Sequence, residues 1–139
     1  EEFSRTAEQL GLSERIRIGP QISPREVAGQ MQAADVFLYP SLFESYGMVV
    51  AEALAAGLPV ITNSTGGIPE AVGTEQAALL CSGPTPTAVR EAWRHALESV
   101  LTDRAHREQL SRAAAARART LPAWPDTAAK VLTALEQNK

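Results

Sequence analysis

Two glutamates carry the chemistry this sequence can offer, Glu44 and Glu52, eight positions apart. Glu44-Ser45-Tyr46-Gly47 leads directly into an apolar helical stretch. The first amides of that helix have no intrahelical partner, and they lie at the positive end of its dipole. Gly47 lets a ligand approach this backbone closely, and free N–H groups at a helix start suit a diphosphate. A plainer reading stands beside it, in which Ser45 caps the helix and Glu44 only complements the dipole. Glu52 is the sole charged side chain between Gly47 and Thr62. Burial of a lone carboxylate is costly unless something hydrogen-bonds it. Ribose hydroxyls would satisfy both oxygens, as they do for an acidic residue in dinucleotide-binding folds. The alternative is a solvated or backbone-paired glutamate on an open helix face. A glycosidase-like acid/base pair is disfavoured by the loop and helix between the two carboxylates.

Other chemistries find little support. Neither G-x-G-x-x-G nor G-x-x-x-x-G-K-[ST] occurs, so Gly66-Gly67 is not a dinucleotide fingerprint and no P-loop is present. A single cysteine, Cys81, excludes an internal disulfide and a multi-cysteine zinc site, and reads as a small core residue. His95 and His106 are too few for a histidine-rich metal site. Trp93 and Trp124 fall on helical segments and read as packing residues rather than sugar platforms. The net charge of −3 and the 5% aromatic content argue against a nucleic-acid partner. Basic residues gather between Arg90 and Arg119, interleaved with Glu91, Glu98, Asp103 and Glu108. That pattern reads as a solvated helix face, and it is also compatible with peripheral membrane contact.

The elements that must position these residues alternate between helix and strand. A helix over 4–10 stops at Gly11, and Ile16-Arg17-Ile18 reads as a short strand. Ser23, Pro24 and Glu26 start a helix that runs to about Ala33. Residues 35–39 form an apolar strand ended by Pro40, followed by a loop over 41–46. A helix over 47–56 ends at Gly57. Residues 59–62 form a strand, Gly66-Gly67-Ile68-Pro69-Glu70 turns into a short helix, and 77–81 forms another strand. From about residue 85 the chain is helical, with breaks near Thr102 and at 121–125. Such alternation implies an α/β fold, a Rossmann-like parallel sheet of four strands with helices on both faces and a helical C-terminal extension. Ligands in such sheets bind beyond the carboxyl ends of the strands, so the loops at 19–23, 40–47 and 63–69 face the expected site. The chain opens Glu1-Glu2-Phe3, already mid-pattern, and reads as a single domain truncated at its N-terminus.

Taken together, the segments from Asp35 to Gly73 resemble the C-terminal domain of retaining, nucleotide-sugar-dependent glycosyltransferases of the GT-B architecture and the family-four type. The resemblance rests on Ala34-Asp35-Val36-Phe37-Leu38-Tyr39-Pro40-Ser41 and on Glu44-x7-Glu52 with Tyr46-Gly47 inside it. Ala55-Ala56-Gly57-Leu58-Pro59-Val60 and Gly66-Gly67-Ile68-Pro69-Glu70 follow in the same order and spacing. Four linked segments over some forty residues are specific where Glu-x7-Glu alone is not.

The resemblance implies that a hexose moves from a nucleoside diphosphate to an acceptor hydroxyl with its anomeric configuration retained. Glu44 then accepts hydrogen bonds from hydroxyls of the donor sugar and orients it. Backbone amides of Tyr46, Gly47, Met48 and Val49 contact the sugar and diphosphate, and Glu52 holds the ribose. By position, the backbone near Pro20 and Gln21 meets the nucleobase. No metal or other cofactor is implied, because cationic groups and the helix end stabilise the departing diphosphate. The family's basic pair on the phosphates has no counterpart here, nor does its acceptor-binding N-terminal domain. The fragment alone is therefore expected to be inactive, and the acceptor is not specified. A GT-B-like sugar-nucleotide epimerase and a non-catalytic sugar-nucleotide-binding domain are the alternatives. Donor supply points to a cytoplasmic setting.

Overall fold

The computed structural model describes residues 2–73 and 76–137, with the side chain of Trp124 excepted. Its sheet has three parallel strands in the order β1 (Phe37–Tyr39), β2 (Val60–Asn63) and β3 (Ala78–Cys81). Phe37 pairs with Val60 and Val60 with Ala78, and the register continues to Asn63 against Cys81. Helices α1 (Glu2–Gln9) and α2 (Pro24–Ala33) precede the sheet, α3 (Met48–Ala55) links β1 to β2, and α4 (Ile68–Val72) links β2 to β3. Then follow α5 (Pro86–Thr102), α6 (Arg104–Ala118) and α7 (Trp124–Gln137).

Every residue of β2 is buried, as expected of a central strand covered on both faces. Alternation splits the core. Val60, Phe37, Tyr39, Ala78 and Leu80 pack with Met31 of α2, Val50, Ala53 and Leu54 of α3, and Ile68 and Val72 of α4. Ile61, Leu79 and Cys81 point the other way, against Trp93, Leu97 and Val100 of α5. Helix α6 joins the two clusters, since Leu110 belongs to the second and Ala114 to the first. Burial pushes the Cys81 thiol pKa up, in keeping with a core residue. The helical C-terminal region is thus partly core, with α5 covering one face of the sheet.

Local signals behave as the sequence predicts at α2. Ser23 and Glu26 form a reciprocal capping box, the Ser23 N–H donating to Glu26 Oε2 at 2.8 Å, with Pro24 at the first helical position. One strand does not form. Residues 13–15 make a single 3₁₀ turn, and Ile16 has extended dihedrals but no strand beside it. β1 pairs with β2 on one edge, and nothing among the described residues pairs with its other edge. Three residues without a ladder partner cannot persist as a strand, and Ile18 stays 61% exposed. Among the described residues the sheet therefore has three strands rather than four.

The arginine-rich helices also depart from a uniformly solvated face. Arg94 bridges Glu91 and Glu98, and Arg104 pairs with Glu108, all exposed. Arg107 instead donates from Nη1 to the Val100 carbonyl at 2.8 Å. Arg117 donates from Nε to Ala71 O at 3.0 Å and from Nη2 to Glu70 O at 2.8 Å, capping the end of α4 from α6.

Candidate functional site

The loop after β1 carries Glu44, and its backbone is laced to the end of β2 and the loop beyond. Thr62 Oγ1 donates to Tyr39 O at 2.9 Å, Asn63 Nδ2 to Ser41 O at 2.9 Å, and Thr65 Oγ1 to Leu42 O at 3.3 Å. The Gly67 N–H completes the series on Ser45 O at 3.1 Å. Gly66 and Gly67 make this approach possible. A Cβ on Gly66 would stand 1.5 Å from the Glu44 carbonyl oxygen, and one on Gly67 would stand 2.3 Å from that of Ser45. Gly66 also has φ +53°, in the left-handed region. The paired glycines thus serve to seat the glutamate-bearing loop.

Glu44 itself is half-buried. The Tyr39 hydroxyl donates to its Oε2 at 2.7 Å, and the Ser45 N–H donates to Oε1 at 2.9 Å. Tyr39 is held in turn by stacking on Phe37, with ring centroids 6.1 Å apart. The Tyr39 hydroxyl lowers the Glu44 carboxyl pKa most, with help from the amides of Ser45, Tyr46 and Gly47 and against the opposing effect of desolvation. The Tyr39 phenol is pushed up in return, chiefly because Glu44 holds its proton. The result is an ionised carboxylate with both oxygens oriented and acceptor capacity to spare.

Ser45 does not cap the helix. Gly47 is the N-cap of α3, with φ +91° and ψ 49°, and no side chain accepts from the first turn. An added Cβ there would lie 3.2 Å from Ile68, and the backbone conformation excludes most other residues. Of the amides expected to meet a ligand, those of Tyr46 and Gly47 interact with the Glu44 carboxylate. Those of Met48 and Val49 have no hydrogen-bond partner among the described residues.

Glu52 is not buried. It is exposed, and it shares one face of α3 with Met48, Ala51 and Ala55. The premise of a costly lone carboxylate in the core therefore fails, because no described element covers this face of α3 at that level. Glu52 instead stands on the rim of a cavity of about 390 Å³ between α2 and α3, with Pro24, Ala28, Met31 and Gln32 opposite. A neighbouring cavity of about 300 Å³ is lined by Tyr46, Met48, Ala51, Glu70, Leu121 and Pro122. Pro20 and Gln21 lie exposed in the irregular stretch before α2, and no described contact joins them to Glu44 or Glu52. Trp93 is a half-buried packing residue whose Nε1–H donates to Asn63 Oδ1 at 2.7 Å. The side chain of Trp124 falls outside the described set. His95 and His106 lie on α5 and α6, well along the chain from this loop.

Sequence reasoning missed Tyr39, Asn63, Thr65 and Arg117. Tyr39 ends its strand five residues before Glu44 and Asn63 ends an apolar one, but neither position by itself names a partner.

The model of the glycosyl transferases group 1 family matches residues 1–117. The D-inositol 3-phosphate glycosyltransferase of Corynebacterium glutamicum is 38% identical over 129 residues, which is 93% of this chain and 30% of that protein. The protein of the same name from Streptomyces avermitilis is 36% identical over 129 residues, 93% of this chain and 26% of that one. Among solved structures, sucrose-phosphate synthase from Thermosynechococcus elongatus superposes with a TM-score of 0.84 at 28% identity. It is covered over 98% of this chain and 33% of its own. WaaG, a glycosyltransferase involved in lipopolysaccharide biosynthesis, superposes at 0.79 with 27% identity, over 95% of this chain and 35% of its own. The chain thus spans about a third or less of these relatives, in the manner of a partial GT-B domain. On the match over residues 1–117, and with a fold shared with these transferases, the chain belongs to the glycosyl transferases group 1 family.

Proposed function

We propose that this chain is the donor-binding part of a retaining hexosyltransferase that uses a nucleoside-diphosphate sugar. The observation that carries the reading is the state of Glu44, an ionised carboxylate fixed by Tyr39 and Ser45 beside the open N-terminus of α3. Such a group accepts hydrogen bonds from two neighbouring sugar hydroxyls and sets the tilt of the ring. The unpartnered amides of Met48 and Val49 take oxygens of the diphosphate, where the helix dipole favours the charge that develops as it departs. Glu52, exposed on the same helix about 6 Å along its axis from Met48, takes the ribose hydroxyls. Pro20 and Gln21 take the base. In the transfer the bond from the anomeric carbon to the diphosphate breaks, a bond to the acceptor oxygen forms, and the acceptor hydroxyl gives its proton to an oxygen of the departing diphosphate. Retention, absence of a metal requirement and a cytoplasmic setting belong to this proposal. So does a further acceptor-binding domain, for which the length of the relatives provides the room.

The test is a binding panel on the full-length protein with UDP, GDP and ADP and their hexose conjugates, repeated on Glu52→Gln and Glu44→Gln. One nucleotide should bind, with affinity falling about tenfold in Glu52→Gln, as for loss of a charged hydrogen-bond acceptor. In Glu44→Gln the contribution of the hexose alone should disappear. No affinity of the parent protein for any member of the panel would refute the reading.

A further inference from the structure

We propose that Asn63, held in place by Trp93, is a positioning residue that sets the Ser41–Glu44 backbone and thereby the direction of the Glu44 carboxylate. Asn63 closes β2 and is only 8% exposed. Both ends of its amide are engaged, Nδ2 donating to Ser41 O at 2.9 Å and Oδ1 accepting from Trp93 Nε1 at 2.7 Å. An indole N–H only donates, so it dictates which way round the Asn63 amide lies. A reversed amide would set N–H against N–H and carbonyl against carbonyl. Trp93 therefore ensures that a donor faces Ser41.

The Gly67–Ser45 and Tyr39–Glu44 bonds hold the far end of the loop, and its Ser41 end has little else. Leu42 and Phe43 are 87% and 89% exposed, so its two large apolar side chains provide no anchorage. The Ser41 hydroxyl bonds within the loop, to Phe43 O at 2.8 Å. The longer bond from Thr65 to Leu42 is exposed. Asn63 supplies the part-buried tie, and such a bond meets less competition from water than an exposed one. Helix α5, on one face of the sheet, is in this way connected to a carboxylate presented beyond the strand ends. The consequence for ligand binding rests on the donor-site reading above, but the mechanical link does not.

Two variants test it in the full-length protein by amide hydrogen exchange and by nucleotide-sugar binding. Asn63→Asp keeps an acceptor for Trp93 but sets an oxygen against Ser41 O. Trp93→Phe preserves most of the packing and removes the single N–H. Exchange of the two amides whose partners the loop supplies, the Ser45 N–H on Glu44 Oε1 and the Gly67 N–H on Ser45 O, should accelerate about tenfold in each, the effect expected for one buried group left without its partner, while exchange in β3 and α5 stays within about twofold. Parental exchange at Ser45 and Gly67 in the folded variants overturns the proposal. If Asn63→Asp fails to fold, Trp93→Phe alone decides. Asn63→Asp should also weaken donor binding about tenfold, and this loss should shrink below about twofold in a Glu44→Gln background, because the two residues act as one unit. Equal losses in both backgrounds overturn the route through Glu44. Accelerated exchange in a protein whose parent binds no sugar nucleotide would sink the donor-site reading and leave the link standing.

Discussion

Replacing Gly66 by alanine should damage the fold and the site together. The left-handed backbone at φ +53° costs an L-residue roughly 1–2 kcal/mol. The new Cβ would also stand 1.5 Å from Glu44 O, where ordinary contact begins at 3.4 Å. The loop must therefore retreat by about 2 Å, since packed interiors do not absorb such an overlap. That movement breaks the Gly67–Ser45 bond and the Thr65–Leu42 bond, at about 1 kcal/mol each. The total is on the order of 3–4 kcal/mol, a large share of the roughly 5–15 kcal/mol that holds a domain together. At about 3 °C per kcal/mol for a chain of this size, the midpoint should fall by roughly 10 °C. Two controls isolate the contributions. Gly11→Ala, at φ +65° with nothing within 4 Å, should lose only the conformational part, about 1 kcal/mol. Gly29→Ala, inside α2 with open space around it, should gain about 0.5–1 kcal/mol. Thermal unfolding followed by circular dichroism measures all three, and the donor panel reads the site. A Gly66→Ala midpoint within about 2 °C of Gly11→Ala would refute the claim that the loop is seated on the glycine pair.

Three further outcomes are expected. Because the folded state lowers the Glu44 pKa, its ionised form adds stability above the ordinary carboxylate range, and this is lost as pH falls through the lowered value. Tyr39→Phe removes the largest cause, so the acid limb of donor binding should move to higher pH, and an unmoved limb would argue against the Tyr39 link. Arg117→Ala should destabilise the protein by about 2–3 kcal/mol in urea unfolding, and lysine should not restore it, since one ammonium cannot reproduce the fork on Glu70 O and Ala71 O. Glu52→Gln should leave stability within about 0.5 kcal/mol because the side chain is exposed, whereas a larger change would show that the carboxylate has a structural partner.

The alternation of elements and their punctuation is written in short-range signals. Ser23 with Glu26, Pro24 and Gly57 act over three or four residues, and local signals of that range survive in any compact context. The strand expected at Ile16–Ile18 needed a neighbour on the free edge of β1, and pairing is never a local property. Solvation of Glu52 was decided in the same way, by what covers α3 rather than by the apolar run around it. The place of Glu44 before a helix start was legible. Its state was not, because the carboxylate is held by a tyrosine from the preceding strand. Its loop is tied down by Thr62, Asn63, Thr65 and Gly67, some twenty residues on. Gly66-Gly67 shows the limit most sharply. In sequence the pair marks a turn. Only the folded chain brings another carbonyl to within 1.5 Å of where a side chain would begin, which makes the pair a seat for Glu44.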